Sequence, residues 1–365
     1  MWLLLLIPLL LLLKKIIKFK GQNLPPSPPQ LPIIGNLHQL GALPHQSFTK
    51  FSKKYGPVML FKVGRIPFVI INSAEAAREV LKVHDIDSCS RAQLTGTRKL
   101  SYNFLDIAFA PYGDYWKQMR RICVLELFSL KRAQSFRFIR EEEVGSLINS
   151  ISQSALSSSA NTPVNLSEKI YALTGSIVFR MAFGQIFRGS GLDNHKFEKL
   201  IRATESSIGG FTTEECIPYV GWIVDRLNGY HAKLEKTFHD LDNFFEKAIE
   251  DHRKPRVIDQ DQEDIIDVML KLEKDQTQSG EAQINKDNIK AVLMNIFLGG
   301  VDTSSITVIW AMSELARNPR LMKKAQDEVR NYGMKEEDIN MEEGAGVRLN
   351  LSKKTALNLV PINYL

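Results

Sequence analysis

Gly299-Gly300-Val301-Asp302-Thr303-Ser304 places two adjacent glycines, an acid and two hydroxyls inside a long apolar helix pattern. Each interior glycine costs about 1 kcal/mol relative to alanine. An acid and a hydroxyl flanked by apolar residues are costly to bury unless both find partners. Local rules broken in this way tend to mark functional sites. The glycines would let a bulky ligand lie against the helix backbone. Asp302 and Thr303 would bring a proton-handling pair to that ligand. The other reading is a buried helix whose polar groups bond back to the preceding turn.

A second candidate lies upstream. Trp116 and Arg120 are spaced i and i+4, so they share one helix face. The turn residues Pro111-Tyr112-Gly113-Asp114 precede them as a plausible start and cap. An indole stacked on a guanidinium could bind an anionic group such as a carboxylate. The alternative is an ordinary cation–π pair on a helix surface.

Other chemistry-bearing residues offer less. Cys89, Cys123 and Cys216 are the three cysteines, without paired spacing, which argues against a disulfide framework and a zinc site and for a reducing compartment. Cys123 falls on the Trp116 helix pattern as a small core residue, while Cys89 and Cys216 are expected in loops with no nearby base. The histidines are scattered and fit no metal spacing, so no metal ligand is assigned.

The elements that must hold these residues are mostly helices. Helical periodicity runs through 74–84, 114–128, 134–156, 167–183, 231–252, 262–274, 286–317 and 319–330. A short helix is expected from Phe48 to Tyr55. Strands are expected at Val58–Val63 and Phe68–Ile71, joined through Gly64-Arg65-Ile66-Pro67. The fold class is therefore mainly α with a small β region near the N-terminus. From Asn288 to Arg317 the long pattern would cover about 45 Å, enough to cross a domain. Asp302 and Glu314 argue against reading it as a membrane span.

A hydrophobic content of 44% supports a sizeable core, and 24% charged residues exclude a disordered chain. The net charge of +6 is modest and concentrated at Lys14, Lys15, Lys18 and Lys20. That distribution favours a membrane surface over nucleic acid. Residues 1–20 read as a single-pass anchor, with snorkelling lysines extending a short leucine-rich run. The basic residues keep the body cytosolic. A cleaved signal peptide is the alternative, but the charges follow the apolar run and no small-residue cleavage site follows. Residues 21–38, with Pro25-Pro26-Ser27-Pro28-Pro29, form an extended hinge expected to lift the body off the membrane.

Taken together, these segments resemble a microsomal cytochrome P-450, a haem-thiolate monooxygenase, of the plant type. The residues that carry the resemblance are the anchor and the proline hinge, then Pro32-Ile33-Ile34-Gly35-Asn36-Leu37-His38 and Tyr55-Gly56-Pro57. Asp106-Ile107-Ala108-Phe109-Ala110-Pro111-Tyr112-Gly113-Asp114-Tyr115-Trp116 follow, then Arg120-Arg121-Ile122-Cys123 and the Gly299–Ser304 segment. The resemblance implies the cytochrome P-450 fold over a body at 39–340, with haem as cofactor. It implies that Trp116 and Arg120 hold haem propionates and that Gly299 and Gly300 leave room for oxygen beside the haem. Asp302 and Thr303 would deliver protons. The implied partners are a small apolar substrate of terpenoid or phenolic type and an NADPH-dependent reductase. The implied location is the endoplasmic reticulum membrane. Pocket walls would come from Arg91–Phe104, Ser206–Val220, the start of the long helix and Gly344–Leu349. Phe104, Ile208, Phe211 and Phe297 would make that pocket apolar, with core packing as their other reading.

The sequence departs from the family after Asn340. The Glu-x-x-Arg helix, the proline-arginine segment and the glycine-rich loop with the iron-binding cysteine do not follow; residues 341–365 resemble a terminal β-hairpin. Glu314-Leu315-Ala316-Arg317 has the spacing but ends the long helix. The thiolate that favours O–O cleavage in this family must come from cysteine, and no cysteine here sits in the required loop. The expectation is a chain that is catalytically incompetent as written. The competing expectation is a truncated splice form or gene-model fragment acting, if at all, as a non-catalytic membrane-tethered protein.

Overall fold

The computed structural model describes residues 24–157, 163–184, 194–209, 211–217, 219–255, 263–279, 284–331 and 358–359. The anchor expected over 1–20 and nearly all of the tail expected over 341–365 lie outside the described residues. The chain divides into two compact units, Met1–Ser90 with Phe211–His231, and Arg91–Gly210 with Ala232–Leu365.

In the first unit, helix α1 (Pro44–Tyr55) begins with proline at its first position, where no N–H is needed. It leads into the antiparallel strands β1 (Val58–Val63) and β2 (Ile66–Ile71), in register from Val58 opposite Ile71 to Val63 opposite Ile66. The second strand starts two residues before the expected Phe68. Pro67 is tolerated because a two-stranded sheet is all edge, so its missing N–H breaks no interior ladder. Met59 and Phe61 are fully buried, and the rings of Phe48 and Phe51 pack on Phe61 at 5.3 and 6.1 Å. Gly64 turns the hairpin at φ +57°, and a Cβ there would lie 2.1 Å from the Cys216 carbonyl oxygen. Only glycine fits both the angle and the contact.

The described part of the hinge is extended, as proline requires, but it is tied to the sheet and does not stand clear of it. Leu60 N–H donates to the Pro26 carbonyl at 2.8 Å. The buried Asn36 amide donates to the carbonyls of Pro28 and Pro29 at 3.2 and 3.1 Å and accepts from Lys62 N–H at 2.9 Å. Prolines supply acceptors without donors, and one asparagine serves them. Cys216, expected in a loop, ends a short helical turn, Thr213–Cys216, capped by Thr212 and by Asp225. That turn is set by a Thr-x-x-Glu capping box, a local signal that outweighs the weak periodicity of four residues.

After helix α2 (Ala74–Arg78), continued by a π turn at Glu79–Val83, the second unit holds α3 (Thr95–Leu100), α4 (Asp114–Ile122), α5 (Arg137–Ser157) and α6 (Leu166–Phe183). Strand β3 (Val164–Asn165) lies between the last two. Helices α7 (Asn194–Ile208), α8 (Tyr230–Arg253) and α9 (Ile265–Ser279) follow. Helices α10 (Lys286–Phe297) and α11 (Thr303–Arg317) flank a π turn at Leu298–Asp302 within one continuous helix, and α12 (Pro319–Asn331) comes after it. Strand β4 (Asn358–Leu359) pairs antiparallel with β3.

An aromatic core joins three helices of this unit. Phe183 stacks on Phe297 at 5.1 Å and meets Phe244 edge-on at 5.0 Å, while Phe245 stacks on Phe297 at 6.0 Å. Phe297 is thus a core residue, and Phe104 is also buried. Two buried polar clusters interrupt the apolar packing. Arg180 on α6 donates to Glu142 and Glu143 of α5, both at 2.7 Å. His252 faces the Ala248 carbonyl at 2.6 Å and the Asp264 carboxylate at 2.8 Å.

Candidate functional site

The long helix begins at a reciprocal cap. Asn285 accepts from Asn288 N–H at 3.0 Å, and Asn288 accepts from Asn285 N–H at 2.8 Å. About two turns further on, Asn295 fastens the segment that leads into α4. Its side-chain oxygen accepts from the N–H groups of Ile107 and Ala108 at 3.0 Å each, and its amide donates to Asp106 at 2.8 Å. Burial pushes the Asp106 carboxyl upward, against the hydrogen bonds from Asn295 and Phe109 N–H that favour its charged form.

Trp116 is held by this same segment. Its indole N–H donates to the Ile107 carbonyl at 2.9 Å. Tyr115 reaches Leu105 and receives the Asn288 amide, each at 2.8 Å. The Arg120 guanidinium lies over the Trp116 ring at 5.3 Å, as the i, i+4 spacing requires. Arg120 is exposed and makes no hydrogen bond or ion pair with the described residues. Of the pair, the indole N–H is already occupied, and Arg120 is the donor open to an anion.

The Gly299–Ser304 segment does not present its polar residues as one group. It takes the form of a π turn, a wider helical turn that recurs at functional sites. Asp302 is buried, and Tyr171 of α6 donates to its Oδ1 at 2.7 Å. The adjacent Thr303 is half-buried and donates to the Gly299 carbonyl. The two glycines also differ. Gly299 is exposed, and a Cβ there would meet nothing within 4 Å. Gly300 faces α6, where a Cβ would lie 2.9 Å from Cγ2 of Val178. Gly300 lets two helices approach, and Gly299 with Thr303 makes the open side of the turn.

Asp302 has a further neighbour that the sequence did not announce. Burial, followed by the Asp302 charge, pushes the carboxyl of Glu205 on α7 up to about 7. Burial and then Asp302 also raise the Tyr171 hydroxyl. Tyr171 and Glu205 stand 131 and 97 residues away in sequence, on helix faces with no local rule broken. Asn295 did carry a signal, a polar residue among apolar ones one turn before the glycines.

Cys123 lies about one helical turn beyond Arg120. Cys123 is fully buried in a π turn at Cys123–Leu127, and burial pushes its thiol up to about 12. Cys216 is shifted the same way by burial and then by Glu215 and Asp225. Cys89 Sγ contacts the Ile86 carbonyl at 3.6 Å. Burial therefore disfavours the charged form of both thiols.

Comparison with known proteins accounts for the arrangement. The cytochrome P450 family matches residues 25–345. Cytochrome P450 71B36 of Arabidopsis thaliana is 51% identical over 322 residues, covering 88% of this chain and 63% of that protein. Cytochrome P450 71B34 of the same plant is 47% identical over 346 residues, covering 94% and 68%. A solved zebra fish cytochrome P450 with progesterone superposes with a TM-score of 0.63 at 22% identity, covering 80% of this chain and 64% of the other; that likeness is one of fold. The chain thus spans about 63% of the length of the first of these relatives.

Haem is the cofactor of this family, and the described residues fit it on one side. Gly299 and Thr303 leave an open helix face, and Arg120 supplies a cation for a carboxylate. The iron-binding thiolate is another matter: among the described residues, Cys123 is fully buried in a π turn, Cys216 closes a short helical turn, and none of the three cysteines lies in a glycine-rich loop.

Proposed function

This chain belongs to the cytochrome P450 family, and from that premise we propose that it carries the oxygen-side wall of a membrane-bound haem-dependent monooxygenase. The reaction is hydroxylation of a small apolar molecule, of terpenoid or phenolic type, using O₂ and electrons from an NADPH-dependent reductase. The body is cytosolic, on the endoplasmic reticulum membrane. Haem, when bound, supplies the oxygen-activating chemistry of the family.

The contribution of this chain's own residues follows from their placement. Arg120, stacked on Trp116 and with free donors, orients an anionic edge of the cofactor. Asn295 fixes the Trp116 segment to the long helix, so the anion site and the π turn move as one piece. Gly299 keeps the helix surface clear. Thr303 holds a hydroxyl at that surface through its bond to the Gly299 carbonyl. Asp302, one residue earlier, holds its carboxylate on the inner side against Tyr171. The adjacent acid and hydroxyl would then serve proton supply from the inner and the outer side of the helix.

The same reading makes the 365 residues inactive as they stand. The observation that carries this is the setting of the cysteines: Cys123 is fully buried in a π turn, Cys216 closes a short helical turn, and none of the three lies in a glycine-rich loop. The test is NADPH-driven oxygen consumption by the chain in membranes with a plant reductase and excess haem. The expected result is no consumption above that of the reductase alone. Substrate-dependent consumption would overturn the assignment of inactivity.

A further inference from the structure

Helix α3 ends in a turn whose backbone and sequence disagree. Asn103 N–H donates to the Arg98 carbonyl at 2.8 Å and Tyr102 N–H to the Lys99 carbonyl at 3.3 Å, the paired bonds of a Schellman motif. The left-handed position of that motif is ordinarily glycine, because a Cβ there crowds the backbone. Here it is Tyr102, at φ +52°. Asn103 and Phe104 follow at φ +61° and +66°, so the left-handed run holds no glycine at all. Residues with side chains visit this region singly, and a run of them persists only where its surroundings hold it.

The hold comes from the Tyr102 side chain. Its hydroxyl donates to Asp242 Oδ1 of α8 at 2.8 Å, and its ring packs on Phe238 at 5.3 Å. Asp242 is itself fixed from the long helix. Lys290 of α10 is 4% exposed, donates to the same Oδ1 at 2.6 Å and lies 5.7 Å from the Tyr102 ring. Glu246, one turn along α8, pairs with Lys290 at 2.6 Å as well. Beyond the turn the chain is fastened by other groups. Tyr115 donates to the Leu105 carbonyl, and Asn295 accepts from Ile107 and Ala108 N–H.

We propose that Tyr102, Asp242 and Lys290 form a latch that holds a strained left-handed turn closed, and that its release frees residues 102–104 while the chain from Leu105 onward stays in place. A tyrosine stands at the glycine position because its side chain is the bolt. The turn carries Phe104, which is buried with the Arg98 guanidinium over its ring at 5.5 Å. The latch therefore sets where that ring lies. Under the monooxygenase reading this turn belongs to the substrate wall, and the latch lets the wall move without disturbing the Trp116–Arg120 anion site. The latch itself is independent of that reading and is tested without haem.

The test is amide hydrogen exchange of the haem-free chain, read residue by residue. Tyr102→Phe keeps the ring and removes the bond to Asp242. The amides of Asn103 and Phe104 should then exchange about tenfold faster or more, because a hydrogen bond to a charged group is lost from that turn alone. Those of Ile107 and Ala108 should not change. Asp242→Ala should act in the same way, since Lys290 keeps Glu246 as its partner. Unchanged exchange at Asn103 and Phe104 in Tyr102→Phe would overturn the proposal. So would an equal rise at Ile107 and Ala108, which would make Tyr102 an ordinary contributor to global stability.

The strain is tested apart from the bolt at Asn103, which is exposed. Alanine disfavours the left-handed region and glycine does not, so Asn103→Gly should unfold at a higher temperature than Asn103→Ala. Both variants leave the Tyr102 side chain in place. An alanine midpoint equal to or above that of glycine would mean that the turn is not strained, and the latch would have nothing to hold.

Discussion

Arg180→Ala is expected to lower the unfolding free energy by about 3–5 kcal/mol, the cost of breaking a buried ion pair from one side. The guanidinium is 4% exposed and donates to Glu142 and Glu143 at 2.7 Å each, joining α5 to α6. Burial works against its charge, but Glu143 and Glu142 outweigh burial and hold it firmly cationic. Without Arg180, Glu142 can turn to water, its side chain being 56% exposed, but Glu143, at 14%, cannot. Urea unfolding reads the change as a lower midpoint at constant slope. Arg180→Met combined with Glu142→Gln and Glu143→Gln should recover most of the loss, since no charge is then left buried. A loss below about 1 kcal/mol for Arg180→Ala would place the triad with surface pairs.

The second prediction separates the two glycines. Gly300→Val should destabilise the protein by about 1–3 kcal/mol through overpacking, because even its Cβ would lie 2.9 Å from Val178. Adding Val178→Ala should restore part of that loss, the mark of a direct contact. Gly299→Ala should do the opposite. Nothing lies within 4 Å of its Cβ, so the better helix propensity of alanine should add up to about 1 kcal/mol. Thermal unfolding of the variants checks both signs. Equal destabilisation would mean that the π turn needs glycine for its backbone and that the open face at Gly299 has no part in the argument.

The contrast between these glycines shows what the sequence could and could not disclose. Two adjacent glycines in an apolar helix announced a broken rule, and the rule was broken where the helix opens into a π turn. The sequence did not say which glycine faced a neighbouring helix, because that depends on Val178, more than 120 residues earlier. The helices at 114–128, 167–183, 231–252 and 286–317 were legible because apolar residues recur on one face over many turns. Helices Thr95–Leu100 and Asn194–Ile208 were not, the first because six residues hold too little periodicity and the second because its stripe is diluted by charge. Asp302 and Thr303 were found by type and spacing. Their division between an inner and an outer side was not, since it is decided by Tyr171 and Glu205 on other helices. The proline hinge was legible as extended chain, whereas its docking depended on one buried asparagine, Asn36, and on the strand it bridges to.

The most direct test is the absorption spectrum of the reduced, carbon monoxide-bound protein, recorded on this chain expressed in membranes with excess haem. The account predicts no thiolate-type Soret band, because Cys123 is fully buried in a π turn and neither Cys89 nor Cys216 lies in a glycine-rich loop. A thiolate-type band would contradict it, and would mean that one of these three cysteines reaches the iron.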